Sequence, residues 1–175
     1  MFWKVSEFVR DFYKDHGPFN RVLDVGARNI NGTVKDSMVQ SGIPMPAELL
    51  GLDMIGGENV DIVMNAHDLR LRFVKDSFDC VTCCETLEHD NKFWVSVEGM
   101  RTILKPGGWL LITVPGINFF RHDYPSDYYR FTDSVYPEFF FEGYENIKVE
   151  NYFDAGDPNK EKPNDSILGY ARKPL

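Results

Sequence analysis

Residues 22–34, Val22-Leu-Asp-Val-Gly-Ala-Arg-Asn-Ile-Asn-Gly-Thr-Val34, are the stretch whose reading decides the fold. With Arg21 in front, the run to Gly26 is short, apolar and closed by glycine, as for a buried strand ending in a tight turn. Gly26 to Gly32 is polar and bounded by glycines, and residues 33–41 then read as a short helix stopped by Gly42 and two prolines. In an open α/β sheet such a turn lies beyond the carboxyl end of the strand, where ligands bind, and glycine lets the backbone come close to one. Asp24, Gly26, Ala27, Arg28, Asn29 and Gly32 are therefore candidate ligand-holding residues. The turn is not a G-x-G-x-x-G loop, because Arg28 stands where the second glycine would be.

Working outward, residues 2–15 place Phe2, Val5, Phe8, Val9 and Phe12 at helical spacing, ending near Gly17-Pro18. Downstream, Leu49–Asp53, Val60–Met64, Phe78–Cys83 and Trp109–Val114 read as strands, and residues 91–104 as a helix stopped by Lys105-Pro-Gly-Gly108. The run from Trp109 to Val114 is almost wholly apolar, as for a parallel strand buried on both faces. Residues 133–141 suit a short helix, and 144–153 and 166–172 a closing strand pair. Strands alternating with helices predict a mostly parallel α/β sheet, with the closing pair as its antiparallel edge.

The chain has 175 residues, 43% of them hydrophobic, which suits one domain with a real core. Its net charge of −8 repels phosphate backbones, so nucleic acid is not an expected partner. Cys80, Cys83 and Cys84 sit in one hydrophobic run; without a second ligand pair they read as packed strand residues, and clustered free thiols suit the cytoplasm. The first residues carry charges throughout, unlike a signal peptide, and no apolar stretch has transmembrane length, so no membrane partner is expected.

Further candidates fall after the later strands. Asp53, 21 residues beyond Gly32 and followed by Met54, can accept hydrogen bonds from ribose hydroxyls. Asn65-Ala-His67-Asp68 follows the third strand, where Asp68 either accepts from an adenine amino group or caps the next segment. Cys84-Glu85-Thr-Leu-Glu-His89 follows the fourth, with Glu85 and His89 toward the ligand's charged end and Glu88 solvated or capping.

Taken together, RVLDVGARNING, LLGLD, FDCVTCCETLEH and LKPGGWLLITVPG resemble the successive motifs of class I S-adenosylmethionine-dependent methyltransferases, especially the methyltransferase type 11-like group, over residues 20–132. The resemblance implies a Rossmann-like, mostly parallel seven-stranded sheet with an antiparallel edge and helices on both faces. One domain would span 1–175: an N-terminal helix to residue 18, a cofactor-binding half over 20–115 and a substrate-side half over 116–175. It further implies S-adenosylmethionine as cofactor, with Gly26 and its neighbours on the methionine part, Asp53 on the ribose, His67 and Asp68 near the adenine, and Cys84 and Glu85 near the methionine amino group.

Arg121-His-Asp-Tyr-Pro-Ser-Asp-Tyr-Tyr-Arg-Phe-Thr132 resembles an H-x-x-P-x-D-Y-x-R-F-T segment found in a subset of that group. His122 is the candidate base. Tyr124, Tyr128 and Tyr129 would wall the pocket, and Asp127 and Arg130 either meet substrate or pair with each other. The expected reaction moves a methyl group to an oxygen or nitrogen of a small-molecule or glycan-type acceptor. A non-catalytic binding module is the alternative, and a nicotinamide-dependent oxidoreductase a more distant one. No metal is expected, because the carboxylates and histidines lack a compact ligand spacing along the chain.

Overall fold

The computed structural model describes residues 3–123, 125–155 and 164–175. Its sheet has seven strands: β1 (Arg21–Val25), β2 (Glu48–Asp53), β3 (Ile62–Val63), β4 (Phe78–Cys84), β5 (Leu104–Pro115), β6 (Glu145–Asp154) and β7 (Asn164–Arg172). They lie in the order β3-β2-β1-β4-β5-β7-β6. The first five run parallel, and β7 is antiparallel to both β5 and β6. The order reverses beside β1, so β1 and β4 diverge into opposite halves and leave a crevice at their carboxyl ends.

Strand alternation divides the core into two layers. Val22, Cys80, Leu111, Leu168 and Tyr170 face one side, under α1 (Trp3–His16) and α2 (Val34–Ser41). Leu23, Val81, Leu110 and Ile112 face the other, under α3 (Leu69–Arg72) and α4 (Phe93–Ile103). Helices therefore cover both faces, as the resemblance implied. Cys80 and Cys83 fall in different layers, so the C-x-x-C spacing holds two separate core thiols and not a pair.

Three elements differ from their sequence reading. β3 is two residues long: the Asp61 carboxylate accepts the Gly51 amide at 2.7 Å, taking a place the ladder would have filled, and regular pairing begins only at Ile62. β5 starts five residues early, because Lys105-Pro-Gly-Gly108 continues the strand across an irregularity opposite Phe78–Cys80. The helix expected at 133–141 is a wide turn over Tyr136–Phe140, closed by the Phe141 amide on the Tyr136 carbonyl at 2.7 Å. The buried Tyr136 hydroxyl donates between the carbonyls of Ile112 and Ile167, at 3.0 and 2.6 Å, and so ties β5 to β7. Among the described residues, no helix is long and apolar enough to cross a membrane.

Candidate functional site

A cavity of about 840 Å³ opens along the carboxyl ends of β1, β2 and β4. Its floor is the turn read first from the sequence. Gly26 and Ala27 both donate to the Leu52 carbonyl, at 2.7 and 3.0 Å, which bends the chain sharply off β1. Gly26 has φ +81°, and a Cβ there would meet Thr86 Oγ1 at 2.0 Å, so only glycine fits. The loop then leans on the β2–β3 connection: Asn29 donates its amide to the Glu58 carbonyl and its side-chain nitrogen to the Glu58 carboxylate. Arg28 stands on this path where the usual loop has glycine. Its side chain lies along Gly57, while its amide donates to Asp53. Thr33 and Asp36 close α2 with a reciprocal capping box.

Asp53 ends β2 at the cavity wall. Its two oxygens accept the amides of Arg28 at 3.3 Å and Ile55 at 2.9 Å, which aim the carboxylate without exhausting its acceptor capacity. Met54, Ile55 and Ile30 give this end an apolar rim. His67 lines the cavity, held at 2.6 Å from Asp90 Oδ1, which itself anchors the start of α4. Asp68 does not line it. It is exposed, and Asn65 caps the turn instead, accepting the His67 amide at 2.9 Å. Asn29 likewise shapes the loop without lining the cavity.

Asp24 lies at the cavity base and is 7% exposed. Burial, with the Asp53 charge adding, pushes its carboxyl up to about 7, against the Thr82 hydroxyl that donates to it at 2.9 Å. The folded state thus holds a proton that the unfolded chain releases near pH 4. Stability from this group is complete below that value, falls as pH rises toward 7 and levels off above. Asp24→Asn stays neutral throughout, so its melting temperature is expected to exceed the parent's by several degrees at pH 8 and to match it near pH 4. A difference independent of pH in thermal scans overturns this.

After β4 the chain is strained. Glu85 has φ +46°, its amide held by the Thr113 carbonyl at 2.9 Å. Its carboxyl is buried and, beside Glu88, driven upward. Cys84, Glu85 and His89 all line the cavity as expected. Glu88 contradicts its reading: it is fully buried, not solvated, and among the described residues neither carboxylate oxygen has a hydrogen-bond partner. The cause is the chain over residues 119–123 and 125–128, which folds over it and is tied down by the Tyr128 amide on the Glu88 carbonyl at 2.8 Å.

In that segment His122, Phe119, Phe120 and the half-exposed Tyr128 face the cavity. Asp127 and Arg130 do not. They form a two-pronged ion pair at 2.5 and 2.6 Å, Asp127 also accepts the His122 amide at 2.7 Å, and Arg130 donates to the carbonyls of Phe119 and Phe120. Their pairing is the scaffold that presents His122, and Arg130 holds the Asp127 carboxyl down to about 2. Tyr129 packs edge-on against Phe93, away from the cavity. Tyr124 lies outside the described residues. Sequence reasoning missed Asn164, which opens β7 and brings a buried side-chain nitrogen, without a partner among the described residues, to the cavity wall.

The linear spacing showed no compact ligand set, yet folding makes one. Single ligand atoms of Glu88, His89 and His122 lie within 4.8 Å of one another.

The strand order, the crevice beside β1 and the glycine turn define the class I S-adenosylmethionine-dependent methyltransferase fold. A methyltransferase of that dependence from Archaeoglobus fulgidus superposes with a TM-score of 0.71 at 14% identity, over 98% of this chain and 94% of that one. Haemonchus contortus phosphoethanolamine N-methyltransferase 2, solved with S-adenosylhomocysteine, gives 0.69 at 17% identity over 99% of this chain and 53% of its own. Residues 47–112 match the methyltransferase domain family. The ubiquinone biosynthesis O-methyltransferases of Paraburkholderia xenovorans and Burkholderia thailandensis are 32% and 31% identical over 101 and 107 residues, or 53% and 56% of this chain. The matches span 43% and 45% of those relatives' own lengths.

Proposed function

We propose that the chain binds S-adenosylmethionine along the ends of β1, β2 and β4 and transfers its methyl group to an oxygen or nitrogen of a small-molecule or glycan-type acceptor. The observation that carries this is the pairing, across one cavity, of the Gly26 turn with the aimed carboxylate of Asp53. The residues fit the cofactor. Gly26 leaves room where any side chain would intrude, Asp53 retains acceptor capacity for ribose hydroxyls, and the buried carboxyls of Asp24 and Glu85 suit a neighbouring ammonium group. Ala66 and His67 border the adenine end.

When bound, S-adenosylmethionine supplies an activated methyl on a sulfonium. The protein's task is then alignment, which can be worth roughly 7–11 kcal/mol. The Asp127–Arg130 pair fixes the segment bearing His122 over the acceptor side, and Phe119 and Phe120, stacked at 4.7 Å, help keep water out. The relatives' name as O-methyltransferases supports an oxygen acceptor. The free thiols of Cys80, Cys83 and Cys84 suit a cytoplasmic setting.

Calorimetry with S-adenosylhomocysteine is expected to show one site with a Kd on the order of 10 μM, and none for a nicotinamide dinucleotide. The absence of S-adenosylhomocysteine binding at millimolar concentration overturns the reading. Binding without S-adenosylhomocysteine release across hydroxyl and amine acceptors leaves the non-catalytic module.

A further inference from the structure

The Glu88, His89 and His122 cluster stands at the acceptor end of the cavity, and its members sit at ion-pair distance without closing a hydrogen bond. Glu88 Oε1 lies 3.5 Å from His89 Nε2 and 3.6 Å from His122 Nε2. Both separations are too long for a hydrogen bond. The carboxylate is nonetheless fully buried, and among the described residues neither of its oxygens has a hydrogen-bond partner. A buried carboxylate left in that condition is costly.

The imidazoles sharpen the problem. His89 Nδ1 lies 2.6 Å from the Ser126 carbonyl, and His122 Nδ1 lies 3.3 Å from the Phe120 carbonyl. A carbonyl only accepts, so in each neutral ring the proton sits on Nδ1 and the lone pair on Nε2. With both rings neutral, the two lone pairs point toward the same carboxylate oxygen, and three electron-pair donors converge. A dication resolves this arrangement. Zinc-like ions hold imidazole nitrogen and carboxylate oxygen at about 2.0–2.2 Å, which sets tetrahedral ligand edges at roughly 3.3–3.5 Å, close to the two Glu88–histidine separations. The Nδ1–H bonds to carbonyls are the outer-shell contacts that fix the tautomer of metal-binding histidines. The rings stand at 82° to each other, 4.9 Å apart, so they approach a common point from different directions.

We propose that Glu88, His89 and His122 form a site for a transition-series dication of the zinc type, whose open side faces the cavity. Two imidazoles and one carboxylate favour such ions over magnesium or calcium, which prefer all-oxygen shells. His89 and His122 line the cavity while Glu88 sits beneath them, so the free coordination positions point toward the acceptor space. An acceptor presenting a hydroxyl oxygen would complete the shell. That last step alone rests on the methyl-transfer reading; the metal site does not.

The test is titration of the full chain, stripped with chelator, with cobalt(II) and zinc(II). Cobalt is expected to bind one to one with visible d–d absorption that zinc abolishes, and zinc in excess to raise the melting temperature by about 5 °C or more. Glu88→Gln and His122→Asn are each expected to weaken binding by at least the 10–100-fold that loss of an outer-shell partner costs. Cooperative thermal unfolding of the same samples verifies that the variants fold, and S-adenosylhomocysteine calorimetry separates the two readings. Cofactor binding without metal binding overturns the metal site and leaves the proposed function standing; metal binding without cofactor binding does the reverse. Wild-type metal binding that survives both substitutions also overturns the site.

Discussion

Gly26→Ala is expected to abolish cofactor binding while leaving a folded chain. The alanine Cβ would sit 2.0 Å from Thr86 Oγ1 and 2.6 Å from its Cγ2, inside any permitted contact. Thr86 cannot swing away freely, because its hydroxyl is bonded to the Cys84 carbonyl at 2.9 Å, beside the strained Glu85. The φ of +81° adds its own penalty of about 1–2 kcal/mol for a residue with a Cβ. The turn must therefore shift, and with it the Gly26 and Ala27 bonds to Leu52 that hold the cavity floor. A floor displaced by an ångström fills the space the ligand's backbone-facing edge would use. Calorimetry with S-adenosylhomocysteine should show an affinity loss of about 100-fold or more, equal to roughly 3 kcal/mol. Adding Thr86→Gly removes the clash but not the φ penalty, so the double variant should regain part of the affinity. Wild-type binding by Gly26→Ala alone would place the ligand elsewhere.

The same turn shows why part of this molecule is legible in its sequence. Parallel strands buried on both faces appear as apolar runs, and tight turns at their ends demand glycine, so β1, β2, β4 and β5 and the Gly26 floor follow from local rules. The three-residue spacing of Asp127 and Arg130 allowed an ion pair, and the pair forms. What local rules miss is what a distant segment covers. Glu88 follows a strand at a position that normally faces water, and it is buried because residues 119–123 and 125–128 return over it about thirty to forty positions later. Asn164 reaches the cavity only because β7 enters the sheet beside β5. The Glu88–His89–His122 cluster was invisible for the same reason: one member comes from another part of the chain. Asp68 shows the reverse error. Its spacing suited a ligand contact, but Asn65, three residues earlier, takes the capping bond and leaves Asp68 in solvent.

Removal of the Asp53 carboxylate is the second large expected effect, and it separates recognition from scaffolding. Asp53→Ala deletes the acceptor that the proposed ribose hydroxyls would use. A hydrogen bond to a charged group contributes about 1.5–3 kcal/mol, so losing two should weaken S-adenosylhomocysteine binding by about 100-fold or more. The same change frees the amides of Arg28 and Ile55, which the carboxylate now accepts, and some loss could come from a loosened loop. A ligand series separates these causes. An S-adenosylhomocysteine analogue lacking both ribose hydroxyls should bind the wild type far more weakly than the parent ligand does, yet bind Asp53→Ala almost as well as that ligand does. The coupling between the two deletions then reports the carboxylate–ribose contact itself. Asp53→Asn keeps one oxygen acceptor and removes the charge, so it should fall between the wild type and alanine. If the hydroxyls matter equally in wild type and Asp53→Ala, Asp53 only braces the loop, and the ribose must be held by another group along the β2 edge.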